Sequence, residues 1–390
     1  MTSPREALAA LQPEMTEWRR DFHAHPEIGF EEHRTSDIVA RKLAEWGIEV
    51  HRGIGKTGVV GVLRGRKSGA GGNRAIGLRA DMDALPMEEA NGFAHRSQNP
   101  GRMHACGHDG HTTMLLGAAK YLAETGNFSG TVHLIFQPAE EGGAGGLAMI
   151  EDGLVDRWGI QEFYGMHNMP GIPTGTFAIR EGAMMAAADQ FDIVVTGKGG
   201  HAAKPHECID TTLVAAQIIV ALQSIVSRNI DPLKNAVVSV CVVQTDSTAH
   251  NVIPQTVKLK GTARSLDADV RGQLEAGIKR VAEGIALALG AVADVDFRRG
   301  YPVTVNHVEA TGHAAAVARE VAGDIDMTVQ PMMGGEDFSY MLEKRPGAYI
   351  FVGNGDTAMV HHPAYNFDDD AIPAGSSWYA GMIEARMPAA

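Results

Sequence analysis

The order of the predicted secondary-structure elements restricts the fold of this 390-residue chain more than any other feature of its sequence. Between Phe191 and Phe297, apolar alternation and helical periodicity predict strands and helices in the order β-α-β-β-α-β. That order is typical of the ferredoxin-like split motif, which is a self-contained module. We therefore predict an inserted domain over residues 187–298, within a first domain formed by residues 1–186 and 299–390.

Outside this block, short apolar runs alternate with amphipathic helical patterns. The predicted strands are Gly58–Leu63, Ala75–Arg79, Val132–Phe136, Phe163–Met166 and Tyr349–Gly353. The predicted helices are Glu14–Phe22 with Pro13 in its first turn, Arg34–Trp46 and Thr112–Glu124. Such alternation is typical of a mostly parallel sheet covered by helices, so we predict an α/β fold for the first domain.

The composition of the chain restricts the binding partners and the cellular compartment that we expect for it. The chain carries 34 Lys and Arg against 47 Asp and Glu, so it lacks the basic excess that a nucleic-acid surface requires. Its three scattered cysteines are too few for a disulfide framework. The N-terminal segment has no long apolar run, and no stretch approaches the ~18 apolar residues of a membrane helix. We expect a cytoplasmic protein with neither a nucleic-acid nor a membrane partner.

The segment from Met103 to His111 concentrates side chains that bind metals. Its potential ligands are His104, Cys106, His108, Asp109 and His111. Cys106 and His108 stand two residues apart, so in a turning loop both could reach one metal cluster. The alternative is a polar loop that opens the helix predicted at Thr112, with Asp109 near the helix N-terminus.

Two adjacent carboxylates, Glu140 and Glu141, follow the predicted strand that ends at Phe136. In an open α/β sheet, ligands bind beyond the carboxyl ends of the strands, which is where this pair would lie. One carboxylate could bind a metal while the other takes a proton from water. The alternative is a solvated turn, which is the usual place of an exposed Glu-Glu pair.

Further potential ligands follow other predicted strands. His167 follows the strand at Phe163–Met166, and Asp81 and Asp83 follow the strand at Ala75–Arg79. Near the C-terminus, the pair His361-His362 supplies a distant ligand. Each of these residues could be structural on its own, but ligand-type groups at three strand ends indicate a shared site.

These motifs together resemble a family of amidohydrolases that includes hippurate hydrolase, indole-acetyl-amino-acid hydrolases and bacterial N-acyl-amino-acid deacylases. The family is related to the aminoacylase and carboxypeptidase group of two-metal peptidases. The matching segments are Arg20–Glu27, Leu78–Pro86, Met103–His111, Gln137–Gly142, Gly199–Ala203, Asn251–Pro254, Gly334–Phe338 and His361–Pro363. The resemblance covers almost the whole chain and is specific for the family, but it does not identify the substrate.

The resemblance implies a role for each candidate residue. The implied metal ligands are Cys106, His108, Glu141, His167 and His361, with His361 favoured over His362 by its distance from the proline. Glu140 would be the general base, and Asp81 and Asp83 would support the ligands. The family's inserted domain is a lid that also forms a homodimer, within which His201 would contact the substrate or oxyanion. Asn251 and Arg264 would bind the substrate carboxylate.

The chemistry expected of such a site is amide hydrolysis. Two divalent ions about 3.5–4 Å apart activate a water molecule and polarise the scissile carbonyl. Thiolate and imidazole ligands suit Zn, Co or Ni, while the carboxylate also admits Mn, and we expect Zn or Mn. The expected substrate is a small N-acyl amino acid with an acetyl, benzoyl or other aryl-acyl group.

Two alternative functions remain open. One is a dipeptidase or carboxypeptidase of the same metallopeptidase group, and the other is a metal-bearing binding protein without catalysis. Elsewhere in the chain, we expect Cys208 and Cys241 to be core thiols and Asp368–Asp370 to form a solvated turn. Glu336 and Asp337 follow two glycines and could line the active-site cleft.

Overall fold

The computed structural model describes residues 3–390, which form two compact units. The first unit comprises the chain up to Met184 together with Val305–Gln330 and Asp337–Ala390. The second comprises Met185–Thr304 and Pro331–Glu336. Each unit has a hydrophobic core of its own.

Helices and strands alternate along most of the chain. In chain order, the helices are α1 (Pro4–Ala24), α2 (His33–Glu45), α3 (His108–Thr125), α4 (Gly145–Glu151), α5 (Leu154–Trp158), α6 (Thr211–Ser224), α7 (Ala268–Ala288), α8 (Val308–Ala322), α9 (Ser339–Lys344) and α10 (Ile372–Arg386). The strands are β1 (Glu49–Ile54), β2 (Gly58–Arg64), β3 (Ala75–Asp81), β4 (Thr131–Gln137), β5 (Glu162–Met169), β6 (Phe177–Ala178), β7 (Gly182–Met185), β8 (Ala187–Thr196), β9 (Gly200–His201), β10 (Ala236–Thr245), β11 (Val252–Ile253), β12 (Thr256–Ser265), β13 (Val292–Tyr301), β14 (Thr304–Asn306) and β15 (Gly347–Gly353).

A mixed sheet forms the centre of the first unit, in the strand order β1-β2-β4-β3-β5-β15-β6. The four inner strands β4, β3, β5 and β15 run parallel, whereas the pairs at the two edges are antiparallel. Helices α1, α3 and α10 contribute Met15, Leu116 and Trp378 to the same core as the sheet residues. The α/β prediction is therefore confirmed.

The parallel strands determine where the polar side chains collect. β3 ends at Asp81, which is paired in register with Gln137 at the end of β4, and β5 ends nearby in the sheet at Met169. Because the strands are parallel, their carboxyl ends meet at one edge of the sheet. α3 begins at His108, after Gly107 with a φ of +89°.

The second unit has the split β-α-β-β-α-β order that the sequence predicts. Its sheet has the order β10-β12-β8-β13, and all neighbouring strands are antiparallel. Buried side chains of α6 and α7, such as Ile218 and Ile278, share a core with the sheet residues Phe191 and Leu259.

Within residues 3–390, one helical stretch is long and apolar enough to cross a membrane by length and composition. It is Thr211–Asn229, which comprises α6 and a π-helical turn that follows it. Its residues Val214, Ile218 and Leu222 are buried in the core of the second unit. Other apolar residues of the same helix, among them Leu213 and Val220, are exposed.

Several predicted boundaries were wrong. α1 begins at Pro4, where Ser3 and Glu6 form a capping box, so Pro13 lies inside the helix and not in its first turn. α3 begins four residues before Thr112, which places His108 and His111 in its first turn. β5 extends to Met169, so His167 is a strand residue. Cys241 is exposed at a bulge of β10, so it is not a core thiol.

A candidate metal centre at the carboxyl end of the sheet

His108, the first residue of α3, is fully buried. Its Nδ1 lies 3.2 Å from Oδ1 of Asp83, which follows β3. Its Nε2 has no hydrogen-bond partner among the residues that the structure describes. In the neutral imidazole, an Nδ1–H that donates to a carboxylate leaves Nε2 with its lone pair, the arrangement found in histidines that bind metals. His108 is thus prepared to bind a cation.

Cys106 and His167 meet beside it. The Sγ atom of Cys106 lies 3.3 Å from Nε2 of His167. The Nδ1–H of His167 donates to the carbonyl oxygen of Asn168 at 2.6 Å, which leaves Nε2 as the unprotonated nitrogen. Both side chains are buried, and their ligand atoms converge with a ring nitrogen of His108.

Glu141 and His361 complete the far side of the cluster. Nε2 of His361 lies 3.2 Å from Oε1 of Glu141. The backbone N–H of His361 donates to the carbonyl of Ala105 at 2.8 Å, which ties the two loops together. The neighbouring His362 directs Nδ1 to the backbone N–H of Ala364, away from this arrangement.

The potential ligand atoms form overlapping groups in which all atoms lie within 4.8 Å of one another. Three of these groups are Cys106 with His108 and His167, Cys106 with Glu141 and His361, and His108 with Glu140 and Glu141. Cys106 belongs to two of these groups, so its sulfur stands between two potential metal positions.

Charges at the site favour a bound cation. Burial lowers the pKa of His108, but the carboxylates of Asp81 and Asp83 outweigh burial and raise that pKa to about 10. Burial and the carboxylates of Glu141 and Glu140 hold the pKa of the Cys106 thiol well above its ordinary value. The carboxylates that surround these two side chains would also stabilise a divalent cation, and a bound cation would deprotonate the thiol. The donor set therefore fits a metal.

A second layer of contacts holds these ligands in place. Nδ1 of His111 lies 2.6 Å from Oδ1 of Asp81, and its Nε2 accepts the backbone N–H of Asn168 at 2.8 Å. His111 thereby links the end of β3 to the strand that carries His167. His111 stood in the predicted ligand segment, but the structure gives it this linking position.

Arg79 on β3 was not singled out in the sequence, although a cation inside an apolar strand is a recognisable signal. It is fully buried and donates to Asp81 at 2.7 Å and to Asp337 at 2.9 Å. Asp337 also accepts from Gln137 at 2.8 Å and from the backbone N–H of Gly146 at 2.8 Å. Its carboxylate therefore makes hydrogen bonds within the protein, and its position next to Glu140 leaves the expected role at the cleft a prediction.

Another buried network surrounds Asp109. His23 places Nδ1 2.9 Å from Asp109 and Nε2 3.1 Å from Glu89, and Arg19 donates to both Asp109 and Asp369. Asp368–Asp370 is therefore not a solvated turn, because Asp369 pairs with α1. His104 is buried beside this network and lies outside the groups of potential ligands.

The remaining predicted residues belong to the second unit. β9 and β11 pair His201 with Val252, and the backbone of Asn251 accepts the N–H of Ala202 at 3.0 Å. Arg264 on β12 is half-buried and contacts Thr262 and the carbonyl of Ala263. The structure thus brings His201 and Asn251 together where β9 pairs with β11, and their roles stay predictions.

Curated proteins of known name match nearly the whole chain. A hippurate hydrolase of Campylobacter jejuni is 44% identical over 374 residues, which cover 95% of this chain and 96% of that protein. An N-acetyl-L-cysteine deacetylase of Bacillus subtilis is 42% identical over 369 residues, 94% and 86% of the two chains. A thermostable carboxypeptidase of Saccharolobus solfataricus is 40% identical over 381 residues, 94% and 95% of the two chains.

Solved structures have the same fold. A Bacillus subtilis protein described as a dinuclear metal-binding peptidase of the M20 family superposes with a TM-score of 0.84 at 35% identity, over 96% of this chain and 98% of that one. The family model for peptidase family M20/M25/M40 matches residues 77–385, which include every residue of the ligand cluster. The chain therefore belongs to peptidase family M20/M25/M40, and it is a metal-dependent hydrolase of amide bonds.

Proposed function

We propose that this enzyme hydrolyses the amide bond of N-acyl amino acids and releases a carboxylic acid and a free amino acid. The observation that carries the proposal is the pair of ligand groups that share Cys106, with Glu140 next to the ligand Glu141. Two of the relatives, the hippurate hydrolase and the N-acetyl-L-cysteine deacetylase, have names that describe substrates of this class.

Two divalent ions would be held by the five converging side chains. One would bind Cys106, His108 and His167, and the other would bind Cys106, Glu141 and His361. We expect Zn or Mn, with Co or Ni as alternatives, because thiolate, imidazole and carboxylate are all present. When bound, the ions lower the pKa of water and polarise a carbonyl oxygen.

Glu140 would act as the general base. Its carboxylate is 7% exposed and lies within 4.8 Å of ligand atoms of His108 and Glu141. The backbone N–H of Asp337 approaches Glu140 Oε1 at 3.4 Å, which helps to fix its direction. From this position Glu140 would take a proton from the attacking water and deliver it to the leaving amine.

The second unit would recognise the rest of the substrate. We propose that His201 donates to the developing oxyanion and that Asn251 and Arg264 bind the substrate carboxylate. Arg264 suits that role because, among the residues that the structure describes, its contacts are a hydroxyl and carbonyl oxygens and not a carboxylate. A guanidinium binds a carboxylate through two parallel hydrogen bonds.

We further propose that the enzyme is a homodimer formed through the second unit. β10 is an edge strand with the exposed residues Val242 and Val243, and α6 exposes Leu213 and Val220. Exposed apolar side chains beside an open strand edge are typical of a surface that another chain covers. A cytoplasmic location is consistent with the three free thiols.

A substrate panel tests the proposed reaction. The metal-reconstituted protein should hydrolyse N-acetyl or N-benzoyl amino acids with a higher kcat/KM than free dipeptides, and Glu140→Gln should remove the activity. The Saccharolobus carboxypeptidase supports the second candidate, a peptidase that removes a C-terminal residue. A preference for peptides over acyl amino acids would favour that candidate, and turnover of neither class would refute the proposal.

A further inference from the structure

Glu32, the residue before α2, is fully buried and far in sequence from the metal centre. Its Oε1 accepts the backbone N–H of Ala139 at 2.8 Å. Its Oε2 accepts the hydroxyl of Thr57 at 2.5 Å. Burying a carboxylate costs free energy unless hydrogen bonds satisfy its oxygens. Both oxygens of Glu32 have such a partner, and one of these partners is the backbone beside Glu140.

Ala139, which receives this contact, has an unusual backbone conformation. Its φ is +50°, in the left-handed region that residues with a Cβ rarely adopt. Its Cβ lies between Gly29 and Gly143, where a Cβ built on either glycine would approach it to 2.9 and 2.6 Å. The two glycines thus leave the space that the Ala139 side chain occupies in this conformation, and the residue that follows is Glu140.

A second buried carboxylate contacts the other side of the same turn. Oδ2 of Asp83 accepts the backbone N–H of Glu141 at 2.9 Å. The N–H groups of the residues immediately before and after Glu140 thus each donate to a buried carboxylate. Asp83 also contacts His108, whereas the carboxylate of Glu32 accepts from this turn and from Thr57.

We propose that Glu32 is a positioning residue that holds the backbone at Ala139 in its left-handed conformation and so aims the carboxylate of Glu140. The inference rests on the proposed role of Glu140 as the base. Burial raises the pKa of Glu32 to about 7. A protonated carboxyl group still accepts the N–H of Ala139 through its carbonyl oxygen, so the hydrogen bond does not require the charge.

Two substitutions of similar volume separate the hydrogen bond from the charge. Glu32→Gln keeps an oxygen that can accept the N–H of Ala139, and we expect kcat within about threefold of wild type. Glu32→Met keeps the volume but removes the acceptor, and we expect kcat to fall by at least tenfold with little change in KM or in metal content. The neighbouring Glu31, which is exposed, supplies the control variant Glu31→Gln.

The outcomes decide between the possible roles. An unchanged kcat in Glu32→Met would overturn the inference. So would a loss of metal from Glu32→Met in proportion to its loss of activity. An equal fall of kcat in Glu32→Gln would overturn it as well. If Glu32→Met does not fold, Thr57→Val decides, because loss of the hydroxyl that fixes Oε2 should lower kcat and not KM. Glu140→Gln is measured in the same series. If Glu140→Gln stays active, Glu140 is not the base. If Glu140→Gln is inactive but Glu32→Met keeps its kcat, only the Glu32 inference has failed.

Discussion

Asp83 shows how one side chain can serve two parts of the centre. One oxygen faces Nδ1 of His108 and the other accepts the N–H of Glu141. The carboxylate thereby connects the proposed ligand His108 on α3 to the turn that carries the two glutamates. Groups that orient metal ligands in this way typically influence metal affinity by about 10–100-fold.

Asp83→Asn tests this double role. An amide has only one acceptor oxygen, so it cannot support both His108 and Glu141, and we expect metal affinity to fall about 10–100-fold. Competition with a chromogenic chelator measures the change. Asp37→Asn is the control, because Asp37 is an exposed aspartate paired with Arg52. Equal affinities in wild type and Asp83→Asn would show that Asp83 does not support the ligands.

At the residue scale, the sequence predicts groups of functional residues that are neighbours in the chain, but it does not predict contacts such as that between Arg19 and Asp369. The two-residue spacing of Cys106 and His108 and the adjacency of Glu140 and Glu141 can be recognised without a structure. Arg19 and Asp369 meet across about 350 positions of the chain, and no local pattern indicates that pairing. For the same reason the sequence predicts a solvated turn at Asp368–Asp370, which is wrong.

Among the elements, α1 shows how a strong local signal can mislead. The sequence predicts Pro13 in the first turn because proline is favoured there. The helix instead begins at the capping box of Ser3 and Glu6, and it accommodates Pro13 at an exposed position of its interior. The predicted strands lie within a few residues of the observed ones, but the sheet order arises from pairings that are distant in sequence.

Pro13→Ala should stabilise the protein. Proline lacks the N–H that would donate to the carbonyl of Ala9, and its ring crowds that carbonyl. We expect the free energy of unfolding to rise by about 1–2 kcal/mol, with unchanged activity, since Pro13 is remote from the metal centre. Thermal unfolding of the two proteins measures the difference. A lower Tm in Pro13→Ala would mean that the helix depends on the proline.

The contact between α1 and α3 should make stability depend on pH. Burial lowers the pKa of His23, but hydrogen bonds to Asp109 and Glu89 outweigh burial and raise that pKa to about 9. The folded pKa is above the ordinary value of about 6.5, so the charged imidazole stabilises the protein fully below about pH 6.5. That contribution is lost as the pH rises through about 9.

His23→Gln isolates this effect, because glutamine does not titrate. The Tm of the metal-saturated wild type should fall between pH 6.5 and 9, and the Tm of His23→Gln should fall less. Both proteins retain the other charged groups of the network, including Arg19 and Asp109, so the difference between the two slopes belongs to His23. Identical slopes would contradict the assignment of a charged imidazole at this position.

For the molecule as a whole, the proposed dimer makes a prediction about His201. A two-fold interface is isologous, so each subunit would lend His201 to its partner. Co-expression of His201→Ala and Glu140→Ala chains with different tags yields a mixed dimer. One of its sites would then contain both an intact base and an intact histidine, and activity should return to at most about half of wild type.

The experiment with the mixed dimer can also contradict this prediction. If His201 serves its own subunit, each site still lacks one of the two groups and the mixed dimer stays inactive. Each single-variant dimer, purified in the same way, is the control for residual activity. Size-exclusion chromatography with light scattering shows whether the preparation is dimeric before activity is measured.

The most direct test of the central claim is the number of metal ions bound per chain, measured by elemental analysis together with turnover. We predict two ions in wild type and two in Glu140→Gln, whose turnover should fall by about 10²–10⁴ because a base and not a ligand is lost. Cys106→Ala should bind fewer ions, because in the proposed site the sulfur of Cys106 is a ligand at both positions. Loss of metal from Glu140→Gln, or two ions and full turnover in Cys106→Ala, would contradict the account.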